Sequence, residues 1–250
     1  MAVGLLVYDV IFLTLAALLY GGAASAAFCA HYFFVEKVGL PVPFALFPDF
    51  LVALFVLIVE VAFLTALCPR LKPGKYPMMK GAVFYGWLLR SALRRIMFVP
   101  GLKWFLFASN TLRFLTLRGL GAKVSFSANM SADAELLDPS LVIVGPGAVI
   151  GARCLVSGHF VEDGKLVLGT IEIGKGSLLA ADVICGPNVV VGEKVMVKAQ
   201  AAIGLGTRIG DRASIGARAY LESNVTVEPG AVVANAELVK PRTIVSKKVE

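Results

Sequence analysis

From Ile173 to Val227 the chain repeats with a period of six. An aliphatic residue or Cys leads, Gly often follows, two variable residues come next, and the fifth residue is small or branched. The leads are Ile173, Leu179, Cys185, Val191, Val197, Ile203, Ile209, Ile215, Leu221 and Val227, and the fifth positions run from Ser177 to Ala231. Neither the 3.6-residue period of a helix nor the alternation of an ordinary strand produces a period of six. A hexad run marks a parallel β-helix in which each repeat forms one side of a prism and three repeats make a coil. The lead then fills the interior, the fifth residue fits beside it, and Gly at the second position permits a tight corner. The same phase is traceable upstream through Leu120, Phe126, Ala132, Asp138, Val144, Ile150 and Val156, where Asp138 breaks the apolar rule.

These hexads resemble those of the hexapeptide-repeat acyltransferases, over residues 120 to about 235. The resemblance implies a left-handed parallel β-helix, a homotrimer, and transfer of an acyl group from a coenzyme A or acyl-carrier-protein thioester to a hydroxyl or amine. The phase slips once, because Val156 to Ile173 is 17 residues, and an inserted loop SGHFVEDGKLVLGT is implied there. The loop holds His159, the only histidine outside the apolar N-terminal third. Acyl transfer needs a base to take the acceptor's proton, imidazole suits neutral pH, and a loop that breaks a regular repeat is where function concentrates. In the family resembled, a histidine near a coil corner does this at the cleft between subunits, and His159 is the matching position. Glu162, three residues on, is the expected orienting carboxylate, with Asp163 or Glu172 as alternatives. Backbone N–H groups at Gly corners such as Gly158 are candidates for stabilising the oxyanion.

The same resemblance places the pantetheine arm along the coils C-terminal to the loop. Lys198 and Arg218, at nearby corners of adjacent coils, are the candidate phosphate contacts. Some relatives hold zinc through three histidines, which one available histidine cannot supply, so no metal is expected. The string GHFVEDG after a helical membrane section is similar to the membrane-anchored repeat modules at the C-terminus of polylysine-type nonribosomal peptide synthetases. With no adenylation or carrier domain in this sequence, the activated acyl group must come from outside, and an acyl or peptidyl carrier protein is a candidate partner. A catalytically silent trimeric scaffold is the other class that such a fold permits.

The N-terminal half explains the composition. The 250 residues are 58% hydrophobic and only 16% charged, against roughly 45–50% and about 25% in soluble domains. Residues 10–30 carry no charge, and 50–68 carry only Glu60. About 20 apolar residues cross a bilayer, so the two read as a helical hairpin. No basic residue precedes the first run, which argues against a cleaved signal. Glu60 inside a span is a candidate for function or for pairing within the hairpin or between subunits. Asp9 and Asp49 lie near span ends and are expected to be hydrated.

The net charge of +7 is concentrated in one belt, since residues 69–118 carry ten Lys or Arg and no acid. A basic belt beside apolar spans reads as contact with anionic lipid on the cytoplasmic face, which places the C-terminal domain in the cytoplasm at the inner membrane. Nucleic-acid binding is the disfavoured reading, because Phe, Leu and Trp interleave the charges. Pro100 divides residues 81–118 into two expected amphipathic helices lying at the interface, with Tyr85, Trp87 and Trp104 at the same depth. Three units follow: a hairpin with its basic loop over 1–80, interfacial helices over 81–118, and the β-helix over 119–250.

Overall fold

A computed structural model describes residues 2–247, with the side chains of 2–7 and of Pro100 excepted. Residue 1 and residues 248–250, the outermost positions of the first and last expected units, lie outside it. The N-terminal part is helical. α1 spans Ala2–Tyr32 and widens into an i→i+5 turn over Phe33–Lys37, and α2 spans Val42–Leu67. Both are long and apolar enough to cross a membrane. They pack on each other through Leu19, Ala23, Leu54, Leu57, Ile58 and Val61, all buried. Gly22 of α1 leaves the space that the Glu60 carboxyl occupies. Asp49, expected to be hydrated, is instead buried and shares a 2.7 Å hydrogen bond with His31 Nδ1, so the far end of the hairpin is tied by a polar pair.

Residues 81–118 form three helices rather than two: α3 (Gly81–Met97), α4 (Pro100–Ala108) and α5 (Asn110–Gly119). The additional break falls at Ser109, whose hydroxyl caps α5 by accepting the Leu112 N–H at 3.4 Å, as Ser does at an N-cap. Several belt cations face inward. Arg94 and Lys103 meet Glu135 at 3.0 and 2.6 Å, and Arg113 reaches Asn129 at 3.2 Å and the Ala128 carbonyl at 2.9 Å. Those three charges therefore dock the helices on the solenoid instead of facing lipid. Gly119 allows α5 to approach Ala62 of α2, where an added Cβ would lie 3.2 Å from the alanine methyl. One continuous apolar core consequently runs from the hairpin into the β-domain.

From Lys123 the chain winds into a parallel β-solenoid with three faces, of seven, six and six strands. Strands of two residues place one side chain inside and the three-residue strands Val142–Val144 and Ile171–Ile173 bury two, and Ile173, Leu179, Cys185, Val191 and Val197 are all buried as the hexads require. The interior polar fifth positions are satisfied: Ser177 Oγ donates to the Gly192 carbonyl at 2.6 Å and accepts the Val195 N–H at 2.9 Å. Gly at the second position has a different reason from the one expected. At Gly145 and Gly151 φ is negative, but an added Cβ would come within 2.8 and 2.9 Å of the backbone of the coil above. The left-handed backbone falls at the fourth position, at Asp182, Asn188, Lys194, Gln200, Arg212, Arg218 and Asn224, six residues apart save where Gly206 intervenes.

Two departures from the hexad phase shape the molecule. Upstream, the interior positions are Val124, Met130 and Leu136, paired with Val144, Ile150 and Val156, whereas Phe126, expected inside, is exposed. A short 3₁₀ turn, Pro139–Leu141, absorbs the two extra residues between Leu136 and Val144. Asp138 thus stands just before that turn, off the interior register. Downstream, the insertion is not a loop but a β-hairpin, His159–Glu162 paired antiparallel with Lys165–Leu168. Its turn is Asp163-Gly164, with φ of 47° and 67°, as a two-residue hairpin of type I′ demands. A third strand, Gly74–Pro77, straps onto Lys165–Leu168, so part of the expected first unit belongs structurally to the β-domain.

Candidate active site

Leu166 and Leu168 point from the hairpin into a small separate core with Phe84 of α3 and Leu141 of the 3₁₀ turn, flanked by Tyr76, Trp87 and Leu88. This core fixes three segments that carry polar groups: the hairpin with His159, the turn with Asp138 and α3 with Trp87. His159 Nδ1 lies 2.6 Å from Asp138 Oδ2. Asp138 Oδ1 accepts the Trp87 indole N–H at 2.8 Å. The indole also meets the imidazole edge-on, with ring centroids 4.9 Å apart. The Asp138 side chain is 2% exposed and that of His159 22% exposed, so the carboxylate is sealed while the ring keeps one open edge.

Chemically this arrangement can serve as an oriented base. A buried carboxylate on Nδ1 holds the proton there and leaves Nε2 as the acceptor, and the carboxylate's second oxygen is satisfied by the indole, as a buried polar atom requires. The Ser157 hydroxyl donates to the His159 carbonyl at 2.7 Å and steadies the hairpin's first residue. Gly158 sits where an added Cβ would lie 3.0 Å from Leu141, so the hairpin leaves the coil tight against the 3₁₀ turn.

The structure corrects the expected partner. Glu162 is at the exposed tip of the hairpin and pairs with Lys75 of the strap at 3.0 Å, while Asp138 occupies the place on Nδ1. Neither Asp163, in the hairpin turn, nor Glu172, facing outward on a solenoid strand, is the group on that nitrogen. The one sequence signal for Asp138 was its violation of the apolar pattern. Trp87 carried none that separates it from an interfacial tryptophan. Lys198 and Arg218 are both exposed, and the Arg218 N–H donates to the carbonyl of Ala199 at 2.9 Å, so the two do stand at neighbouring corners of adjacent coils. Cys154 and Cys185 are interior, and complete burial pushes the Cys185 thiol up to about 12.

Strand pairs such as Ile173 with Val191 and Val191 with Ile209 stack residues 18 apart through successive coils. The chain carries the hexapeptide-repeat fold. No protein-family model matches it. Among curated proteins, 167 residues are 26% identical to the Delta-poly-L-ornithine synthetase of Acinetobacter baumannii (strain AB307-0294), covering 65% of this chain and 12% of that protein. The chain thus spans about an eighth of the length of the curated relative it matches. Among solved structures, the acetyltransferase domain of PglB from Neisseria gonorrhoeae FA1090 is similar at 20% identity and a TM-score of 0.42, over 54% of this chain and 62% of that one. A variant of GDP-perosamine N-acetyl transferase from Caulobacter crescentus, in complex with CoA and GDP-perosamine, is similar at 17% identity and a TM-score of 0.35, over 53% and 55% of the two chains.

Proposed function

We propose that the chain is a membrane-anchored acyltransferase that moves an acyl group from a coenzyme A thioester to a hydroxyl or amine, with His159 as the general base. The observation that carries this reading is the 2.6 Å contact of His159 Nδ1 with a buried Asp138 that Trp87 holds from its other oxygen. In the step, Nε2 takes the proton from the acceptor as its oxygen or nitrogen attacks the thioester carbonyl. The tetrahedral intermediate collapses, the C–S bond breaks, and the proton on the imidazolium leaves with the thiolate. Similarity to the PglB domain, which has also been solved in complex with acetyl coenzyme A, supports this donor class. The acceptor is a lipid-linked, glycan or peptide-like molecule, the last class being the one that the partial match to a poly-L-ornithine synthetase supports, and a carrier-protein thioester is the second donor class. Lys198 and Arg218 serve as contacts for the donor's phosphates.

Assembly into a trimer completes the site in this reading. One solenoid face stacks Leu155, Ile184, Ala202, Tyr220 and Leu238 outward in a single column, and Ile184, Tyr220 and Leu238 are 48%, 49% and 56% exposed. A contiguous apolar column of this kind marks a protein interface, and the hairpin with His159 leaves the coil directly after it. The two apolar helices anchor the assembly in the inner membrane, with the solenoid on the cytoplasmic side beside the basic belt.

The test is thioester turnover by detergent-purified protein across acyl-coenzyme A and acyl-carrier donors, with and without membrane lipid extract. His159→Ala is expected to lower acceptor-dependent thiol release about 100-fold or more. Asp138→Asn is expected to follow it, while Glu162→Gln stays within about twofold, as for an exposed ion pair. Equal thiol release by wild type and His159→Ala, in a panel where a control enzyme works, overturns the reading in favour of a scaffold.

A further inference from the structure

Where the last turns of α2 meet the first coil of the solenoid there is a cavity of about 620 Å³. Arg70, Arg90, Arg118 and Lys123 line it, and no acid does. Among the described residues none of the four is ion-paired. Arg90 donates to the carbonyls of Cys68 and Pro69 at 3.1 to 3.4 Å, and burial pushes its guanidinium down from its ordinary range. Four unneutralised cations around one concavity repel each other unless an anion joins them. A second observation is independent of charge: Thr65 lines the same cavity and is only 4% exposed, and its buried hydroxyl has no hydrogen-bond partner. A helical threonine ordinarily returns its hydroxyl to the preceding turn or gives it to water, so an orphaned one on a residue that lines a cavity calls for an acceptor atom there.

The chemistry selected is a phosphate ester. Guanidinium forks match phosphate oxygens in pairs, and a hydroxyl donor adds a further bond. The position selects its source. One wall is the end of an apolar helix long enough to span a membrane, so a ligand seated here has its remainder alongside that helix. An adjoining smaller cavity shares Thr65, Arg90 and Ser140 with the first and reaches Asp138, the carboxylate that holds His159.

We propose that this cavity binds the phosphate of a membrane-borne phosphate ester and thereby holds the acceptor by its head group. The acceptor role rests on the acyltransferase reading; the binding does not. Binding is measured by titration calorimetry in neutral detergent at about 0.15 M salt, where distant charges are screened. The ligands are dihexanoyl phosphatidic acid, dihexanoyl phosphatidylcholine and inorganic phosphate. Phosphatidic acid is expected to bind at least about tenfold tighter than either of the others.

Arg118→Gln/Lys123→Gln, and separately Thr65→Val, are expected to weaken that binding about tenfold. Lys80→Gln/Arg95→Gln, which removes two belt charges outside the cavity, is expected to leave it within about twofold. Equal losses in the two charge pairs, or equal affinity for inorganic phosphate or phosphatidylcholine, overturn the proposal. His159→Ala is expected to bind phosphatidic acid like wild type, and a wild-type chain that binds it but turns over no thioester keeps the site and loses the acyltransferase reading.

Discussion

Trp87 donates one hydrogen bond and fills one space, and the two contributions separate by substitution. Trp87→Phe keeps an aromatic ring against Phe84 and His159 but leaves Asp138 Oδ1 buried without its donor. The loss is expected to cost about 1–3 kcal/mol of stability and to lower turnover below wild type yet above His159→Ala. Thermal unfolding and thiol release on the same preparation check both. Cys185 makes an opposite case. Burial holds its thiol up to about 12, so near neutral pH it stays protonated rather than forming the reactive thiolate. A maleimide is expected to leave Cys185 unmodified in the folded protein from pH 7 to 9 and to label it in denaturant, read by peptide mass spectrometry. Raising the pH increases the thiolate fraction, but the group stays protonated until the pH approaches its raised pKa.

At the scale of elements, the close stacking of coils sets what each corner tolerates. Gly145→Ala would bring a methyl to 2.8–3.2 Å from the backbone of Gly174 and Lys175, where neither coil can yield without disturbing the ladder. It is expected to destabilise the solenoid by about 1–3 kcal/mol and lower Tm by several degrees, whereas Gly101→Ala, in a helix with open space around it, leaves Tm unchanged or higher. Differential scanning fluorimetry distinguishes the two. The elements also explain what could be read in advance. The hexads from Ile173 onward and the two long apolar helices follow from local period and composition, and His159 lies in the insertion that the phase slip marks. The upstream register was misread because a 3₁₀ turn absorbs two residues and no periodic signal marks it. The phase slip implies only an insertion, and the signal that makes it a hairpin is local, Asp163-Gly164 between Glu162 and Lys165. Asp138 and Trp87 meet over 51 residues of sequence, and His159 and Asp138 over 21, separations at which no spacing rule operates.

At the scale of the molecule, the proposed trimer makes its contact through the apolar column on one solenoid face. Tyr220→Glu places a charge in its middle without touching the interior, since Tyr220 points outward and is half exposed. It is expected to shift the protein from trimer to monomer by mass photometry in detergent and to lower turnover, while Tm falls less than for Gly145→Ala. A variant that remains trimeric would show that this face is not the contact.

The strap of residues 74–77 also imposes an order on biosynthesis. Lys75 and its partner Glu162 are separated by 87 residues, so the strap leaves the ribosome long before the hairpin exists. At roughly 5–20 residues per second that interval is about 4 to 17 s. Both long apolar helices are already made by then, and the edge of the strap waits unpaired. The sheet that holds the His159 hairpin closes only when the nascent chain has come back to the strap, so this part of the β-domain is completed late, after both long apolar helices have been made.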